Sequence, residues 1–232
     1  MKKYSLYSAL LAFTLLLCFQ GYAQNQLTDN IYGVYYVPSL YTKLYESDEG
    51  SPYLNPRFTP AKINDSNKTY LVRINAHKET AEVWVSEDRV IELSNERKNS
   101  IALSDGSDKN YEAARYVKPK GNYGNAFFQS VEKNDKYSLF LKERIKYFKK
   151  EKAEGYKAEK PARFEKIKPY YYLRVGADEK KALVHLPSST NKFVQVFAKS
   201  RHKALKGYIK QEKLNLASED DLIKVLDYIY KS

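Results

Sequence analysis

Alternation of hydrophobic and polar residues predicts β-strands along the middle of the chain. Thr69–Asn75 and Thr80–Val85 both alternate with a period of two, and the four residues between them suit a hairpin turn. Further alternating runs, separated by clusters of Ser, Asp, Gly and Asn, are Arg89–Leu93, Ser100–Leu103, Tyr111–Val117, Asn125–Val131, Tyr170–Val175 and Lys181–Leu186. Short runs with this spacing predict an antiparallel β-meander.

The segment 137–148 fits two patterns. Leu139, Leu141 and Ile145 alternate with charged residues as in a strand, whereas Leu141, Ile145 and Phe148 also fit one face of a helix. We interpret the segment as a strand and keep the helix as the alternative.

After Pro187 the hydrophobic period becomes that of helices. Ser188 or Ser189 can cap a short first helix, and a second is predicted from about residue 201 to 213. A third begins near Ser218, which with Asp221 resembles a capping box. Its apolar stripe has the spacing i, i+3, i+4 and i+7 and comprises Leu222, Val225, Leu226 and Ile229. Strands followed by helices predict an α+β fold, a predominantly antiparallel β-meander followed by a small C-terminal cluster of two to three helices.

The N-terminus has the pattern of a secretory signal peptide. Two lysines precede the apolar run Ala9–Phe19, which is too short to span a bilayer, and small residues follow at Gly21 and Ala23. We therefore expect cleavage between Ala23 and Gln24, and a protein that is periplasmic, cell-surface or secreted.

The one cysteine of the chain, Cys18, lies inside this predicted signal peptide. A lipoprotein anchored through Cys18 is the alternative, but Leu17 stands where that processing needs a small residue. Signal cleavage would leave a chain without cysteine, which excludes disulfides and thiol chemistry.

The predicted organisation has four parts. Residues 1–23 form the signal peptide, and 24–50 form a partly disordered tether with at most one short strand, near Tyr32–Val37. Residues 51–186 form the β-rich domain, interrupted by a basic loop at about 149–166, and 187–232 form a helical segment packed on the sheet.

Basic charge is concentrated in one tract. The chain has 40 Lys and Arg against 28 Asp and Glu, a net charge of +12, and residues 142–168 hold 11 basic and 5 acidic residues. One interpretation is electrostatic contact with an acidic glycan, a lipid surface or an envelope protein. Its candidate polyanion-binding residues are Lys142, Arg144, Lys146, Lys149, Lys150 and Lys152. The alternative is a solvated excursion with no partner, and nucleic acid is not expected as a partner of an exported protein.

Catalytic and cofactor signatures are missing from the sequence. The three histidines have no metal-ligand spacing, and neither a Gly-x-Ser-x-Gly elbow nor a nucleotide loop occurs. His185 close to Ser188 and Ser189 is the one weak lead to a nucleophile, and it is also a simple strand end before a helix cap. We therefore predict no catalytic, cofactor-binding or metal-binding residue.

Tyrosine is the compositional excess, with 22 residues. The run Tyr170–Tyr172 could stack on sugar rings or contact a partner, although tyrosine also suits half-buried strands.

Several segments resemble an uncharacterised family of exported proteins from Bacteroidota. They are Ser51-Pro52-Tyr53-Leu54 with Phe58, residues 71–75 (LVRIN), 157–164 (KAEKPARF), Tyr171-Tyr172-Leu173, and the ending from Leu186 to Tyr230. The resemblance implies export and a β-then-helix order, and it implies no activity or site residue. Together with the patterns above, it favours a non-enzymatic exported binding or structural module of the bacterial envelope, without a cofactor. A hydrolase acting on envelope or extracellular polymers is the alternative.

Overall fold

The computed structural model describes residues 34–37, 49–64, 66–87, 89–153, 156 and 158–231. The predicted signal peptide 1–23, its cleavage point between Ala23 and Gln24, and most of the predicted tether 24–50 lie outside the described residues. The predicted disorder of the tether therefore stays a prediction.

Within the described residues, eleven strands form one antiparallel sheet. They are β1 Val34–Val37, β2 Thr59–Ile63, β3 Thr69–Asn75, β4 Thr80–Ser86, β5 Arg89–Leu93, β6 Ser100–Leu103, β7 Asn110–Val117, β8 Tyr123–Lys133, β9 Tyr137–Phe148, β10 Arg163–Val175 and β11 Val184–Leu186. Their order is β1-β5-β4-β3-β2-β6-β7-β8-β9-β10-β11, so strands β6 to β11 form a simple meander. The predicted α+β class, an antiparallel meander followed by helices, is confirmed.

Two strand segments that contain proline were not predicted from the sequence. Strand β2 contains Pro60 and lies between β3 and β6, although proline usually argues against an inner strand. Strand β10 contains Pro169 and begins at Arg163, seven residues before the predicted start at Tyr170. A register shift between Ile167 and Tyr170 accommodates this proline, because β10 has one residue more than β9 over this interval and forms a β-bulge there.

The two ends of the sheet curl toward opposite faces. At one end, β2 to β5 curl over the first face and bury a core that includes Val83 of β4 and Phe127 of β8. At the other end, β7 to β11 curl over the second face. Leu183, just before β11, closes that curl through backbone hydrogen bonds to Arg115 and Val117 of β7, both 2.9 Å long.

The core on the second face is aromatic. Tyr116 and Tyr172 each contact Phe128 edge-to-face, with ring centroids 5.2 Å apart, and Phe128 also contacts Phe140. This arrangement suits the quadrupoles of the rings and fills the curl with large, fully buried side chains.

Three α-helices cover the first face over β8 to β11. They are α1 Thr190–Val194, α2 His202–Gln211, which follows a short 3-10 turn at Lys199–Arg201, and α3 Glu219–Lys231. Leu222, Val225 and Leu226 of α3 pack in the same buried cluster as Leu139 and Leu173 of the sheet. None of the described helices is both long enough and apolar enough to cross a membrane.

The predicted helix caps differ in detail. Ser189 precedes α1, but its side chain makes no capping hydrogen bond. The Asp221 carboxylate accepts a hydrogen bond from the Asn215 amide at 2.9 Å, while the Ser218 amide donates to the Asn215 carbonyl at 2.8 Å. The capping box is therefore replaced by a turn that starts three residues earlier.

Four of the tyrosines connect elements that are distant in the chain. Their hydroxyls donate hydrogen bonds to carboxylates, in the pairs Tyr53–Glu82, Tyr111–Glu143, Tyr116–Glu79 and Tyr137–Asp227. Each pair joins residues at least 29 positions apart in the chain, so each hydroxyl supports tertiary structure.

Candidate binding cleft at the bulge in strand β10

The bulge in β10 opens a cleft between the end of the sheet and the helical segment. Its volume is about 410 Å³, and it extends from Pro169 to the loop that precedes α1. The polar side chains that line it are Lys168, Tyr170, Tyr171, His185, Ser188, Ser189 and Lys192. A concave site with aromatic walls and a few polar groups is the usual form of a small-ligand site.

The residues that line the cleft carry a net positive charge. None of its lining residues is acidic, whereas Lys168 and Lys192 contribute two ammonium groups. Within the described part of the chain, neither lysine forms an ion pair. Unpaired cations in a concave surface attract anions more strongly than cations scattered on a convex one.

Two other hollows contain acidic as well as basic residues. One of about 230 Å³ beside the β8–β9 turn is lined by Lys133 and Arg174 together with Asp135 and Glu179. Another, of about 180 Å³, is lined by Asp105 and Glu143 together with three basic residues, Arg73, Lys109 and Lys166. The cleft at the bulge is larger than these two, and it differs from both in having no acidic lining residue.

Arg144 of β9 adjoins this cleft. Its guanidinium lies 3.8 Å from the centroid of the Tyr170 ring and donates a 3.1 Å hydrogen bond to the carbonyl oxygen of Lys168, within the bulge. These two contacts fix a planar donor group next to the cleft, and an ordered guanidinium binds carboxylate or phosphate with two parallel hydrogen bonds.

His185 forms part of the cleft wall. Its ring lies edge-on to Tyr170, with centroids 4.6 Å apart. Burial lowers the pKa of His185, and the nearby charge of Arg144 lowers it further, so the imidazole is neutral at pH 7. His185 can therefore donate or accept one hydrogen bond without adding charge.

The weak lead to a serine nucleophile does not form a hydrogen-bonded set. His185, Ser188 and Ser189 all line the cleft, but among the described contacts no hydrogen bond joins His185 to either serine. The cleft also lacks the paired carboxylates of glycoside hydrolysis. The other histidines lie elsewhere, with His77 against Phe164 and His202 on the carbonyl of Phe197. No group of three or more His, Cys, Asp or Glu gathers at one point within the described residues.

The predicted polyanion-binding residues separate into three environments. Lys142 is buried and forms an ion pair with Glu79 at 2.5 Å, so its assignment to a ligand-binding surface was wrong. Arg144 lies beside the cleft as described above. The other four, Lys146, Lys149, Lys150 and Lys152, are exposed to solvent.

The basic loop is shorter than its predicted extent of about 149–166. Residues 163–166 belong to β10 and pair with β9, which leaves 149–162 as the connection. Glu151 and Lys160 close its base with two backbone hydrogen bonds of 2.9 and 3.0 Å. Lys168 belongs to the predicted basic tract but was not among the candidate binding residues, and Lys192 lies outside that tract. The Lys-Pro break in a strand was the signal for the bulge that places Lys168.

Comparison of the chain with family models, with curated proteins and with solved structures gave no match. Function is therefore inferred from the geometry and charge of the cleft.

Proposed function

We propose that the protein is an exported, non-enzymatic binding module of the bacterial envelope, and that it binds an acidic carbohydrate in the cleft at the β10 bulge. The observation that carries the proposal is a cleft of about 410 Å³ whose lining has two unpaired lysines and no acidic residue, with an ordered guanidinium beside it. Export and the periplasmic, cell-surface or secreted location rest on the N-terminal sequence pattern.

Carbohydrate suits the walls of the cleft. Tyr170, Tyr171 and His185 combine apolar ring surface with polar edges, and the hydroxyls of Ser188 and Ser189 can exchange hydrogen bonds with sugar hydroxyls. Lys168 and Lys192 would pair with the carboxylate or sulfate of an acidic sugar. The hydrolase predicted as the alternative gains no support from this cleft and stays a prediction.

Affinity electrophoresis of the mature chain, residues 24–232, tests the proposal. Gels containing a polyuronate should retard the protein, whereas gels with uncharged dextran should not. The double variant Lys168→Gln/Lys192→Gln should bind the polyuronate roughly tenfold more weakly, since each charge-assisted hydrogen bond contributes about 1.5 to 3 kcal/mol, part of which solvent screens.

A matched control separates the cleft from general charge. The double variant Lys62→Gln/Lys206→Gln loses the same two charges at exposed positions outside the cleft and should bind as the wild type does. Equal weakening by the two double variants, or no retardation of the wild type, would refute the proposed function.

A further inference from the structure

We infer that the ligand is a chain and not a single sugar: an acidic polysaccharide that occupies the cleft with one unit and continues along the outer part of the β9–β10 hairpin. This inference rests on the proposed function and adds the length and direction of the ligand.

The cleft continues into the hairpin through Arg144. The side chain of Lys168 lines the cleft while its carbonyl oxygen accepts the Arg144 hydrogen bond, so the guanidinium and the cleft share one residue. A ligand carboxylate held by Lys168 is therefore next to a second fixed donor, at the point where the hairpin begins.

Beyond Arg144, cations and rings continue along the same face of the hairpin. Residues 144, 146 and 148 of β9 share a face because side chains alternate along a strand. The Lys146 ammonium lies 4.7 Å from the Phe148 ring, and the Arg163 guanidinium lies 4.9 Å from the same ring. We call Arg144, Lys146 and Phe148 the hairpin row.

The charges of the hairpin row remain available to a ligand. Glu165, which lies opposite Lys146, pairs with Arg163. Arg144 and Lys146 form no ion pair with any carboxylate in the described part of the chain. The row therefore carries two positive charges that are not neutralised by the protein.

The hairpin row is too long for a monosaccharide to contact both the row and the cleft. Successive residues on one face of a strand are about 6.8 Å apart, so Arg144 and Phe148 are separated by about 13.6 Å. A ligand that contacts the cleft and the whole row must be a chain, and a chain with one acidic group per unit matches a row of repeated cations.

Titration calorimetry with polygalacturonate oligomers of increasing length, from one unit to six, tests this inference on the mature chain. For the wild type the affinity should rise about tenfold or more from monomer to hexamer, as contacts with the row are added. Lys146→Gln should lower the ratio of hexamer to monomer affinity several-fold, and Arg144→Gln/Lys146→Gln should lower it further. Lys146→Gln changes a solvent-exposed side chain and guards against misfolding of the double variant.

The outcomes distinguish this inference from the proposed function. If oligomers of all lengths bind equally well and Lys168→Gln/Lys192→Gln weakens all of them, the row has no role and the cleft proposal stands. If no oligomer binds the wild type, both fail. If vesicles of phosphatidylglycerol bind through Arg144 and Lys146 while the oligomers do not, the row contacts a membrane surface and the inference is overturned.

Discussion

Burial determines the properties of Lys142. Its side chain is 8% exposed, and its ammonium donates hydrogen bonds to Glu79 at 2.5 Å and to the Tyr116 hydroxyl at 2.6 Å. The Tyr116 hydroxyl in turn donates to the second oxygen of Glu79 at 2.9 Å. Burial lowers the pKa of Lys142, and the attraction of Glu79 partly opposes this effect. The three groups satisfy one another, so removal of one partner leaves the others without compensation.

Replacement of Lys142 by methionine should lower the free energy of unfolding by about 2 to 4 kcal/mol, because it leaves the Glu79 carboxylate without its cation. The double variant Lys142→Met/Glu79→Gln should recover at least half of this loss, since no charge is then left unpaired. Lys146→Met on the same strand face is the control and should change stability by less than about 0.5 kcal/mol. Urea denaturation of the mature chain measures all three, and equal stability of the Lys142 and Lys146 variants would contradict the ion-pair assignment.

The position of Lys142 could not be read from the sequence. Alternation correctly places it on the same face as Arg144 and Lys146, but the curl of the sheet covers only the first of the three. Glu79 lies 63 residues away in the β3–β4 turn, where it adopts a left-handed φ of 66°. That long-range contact depends on how the two ends of the sheet meet, and no local pattern specifies it.

At the level of elements, hydrophobic periodicity predicted most strands and helices. Strand β2 and the first half of β10 were not predicted, because their periodicity is interrupted. The predicted strand 137–148 agrees with β9 at both ends, because Leu139, Leu141 and Ile145 alternate with charged residues as in a strand. Pro60 and Pro169 interrupt the alternating pattern in β2 and β10. Pro169 lies at the register shift in β10, and the residues on either side of Pro60 pair with the adjacent strands. The cleft arises at one of these breaks, so the candidate site was the part of the fold that periodicity could least predict.

The β9–β10 connection should be the first site of proteolysis. Glu151 pairs with Lys160, and the described residues between them, 152, 153, 156, 158 and 159, are all exposed. The surface ion pair Lys150–Glu159 is more than half exposed and adds little stability. Brief digestion of the mature chain with trypsin should therefore cut first after Lys152 or Lys157. Lys152→Gln/Lys157→Gln should slow this cut without a change in thermal stability, and first cuts between residues 69 and 133 would contradict this prediction.

At the scale of the whole molecule, the buried tyrosines should make the folded state less stable at high pH. Burial raises the pKa of five tyrosines well above the ordinary value near 10, and neighbouring carboxylates raise most of them further. They are Tyr53, Tyr111, Tyr116, Tyr137 and Tyr172. In the unfolded chain these phenols ionise near pH 10, so above that pH the folded state holds more protons than the unfolded state. Lys142 has the opposite effect, since its lowered pKa favours the folded state as the pH approaches about 10.5, but it is one group against five.

Stability should therefore be maintained up to about pH 9 and fall steeply above about pH 10, by up to about 1.4 kcal/mol per pH unit for each tyrosine that ionises only on unfolding. Urea midpoints measured across this range, with phenolate absorbance recorded on the same samples, give the slope and show whether ionisation accompanies unfolding. Tyr111→Phe/Tyr137→Phe removes two of the five groups and should make the slope shallower, even though each substitution also removes a hydrogen bond to Glu143 or Asp227. A urea midpoint that stays constant above pH 10 would contradict this prediction. It would mean that the five phenols ionise near pH 10 in the folded protein, as exposed tyrosines do.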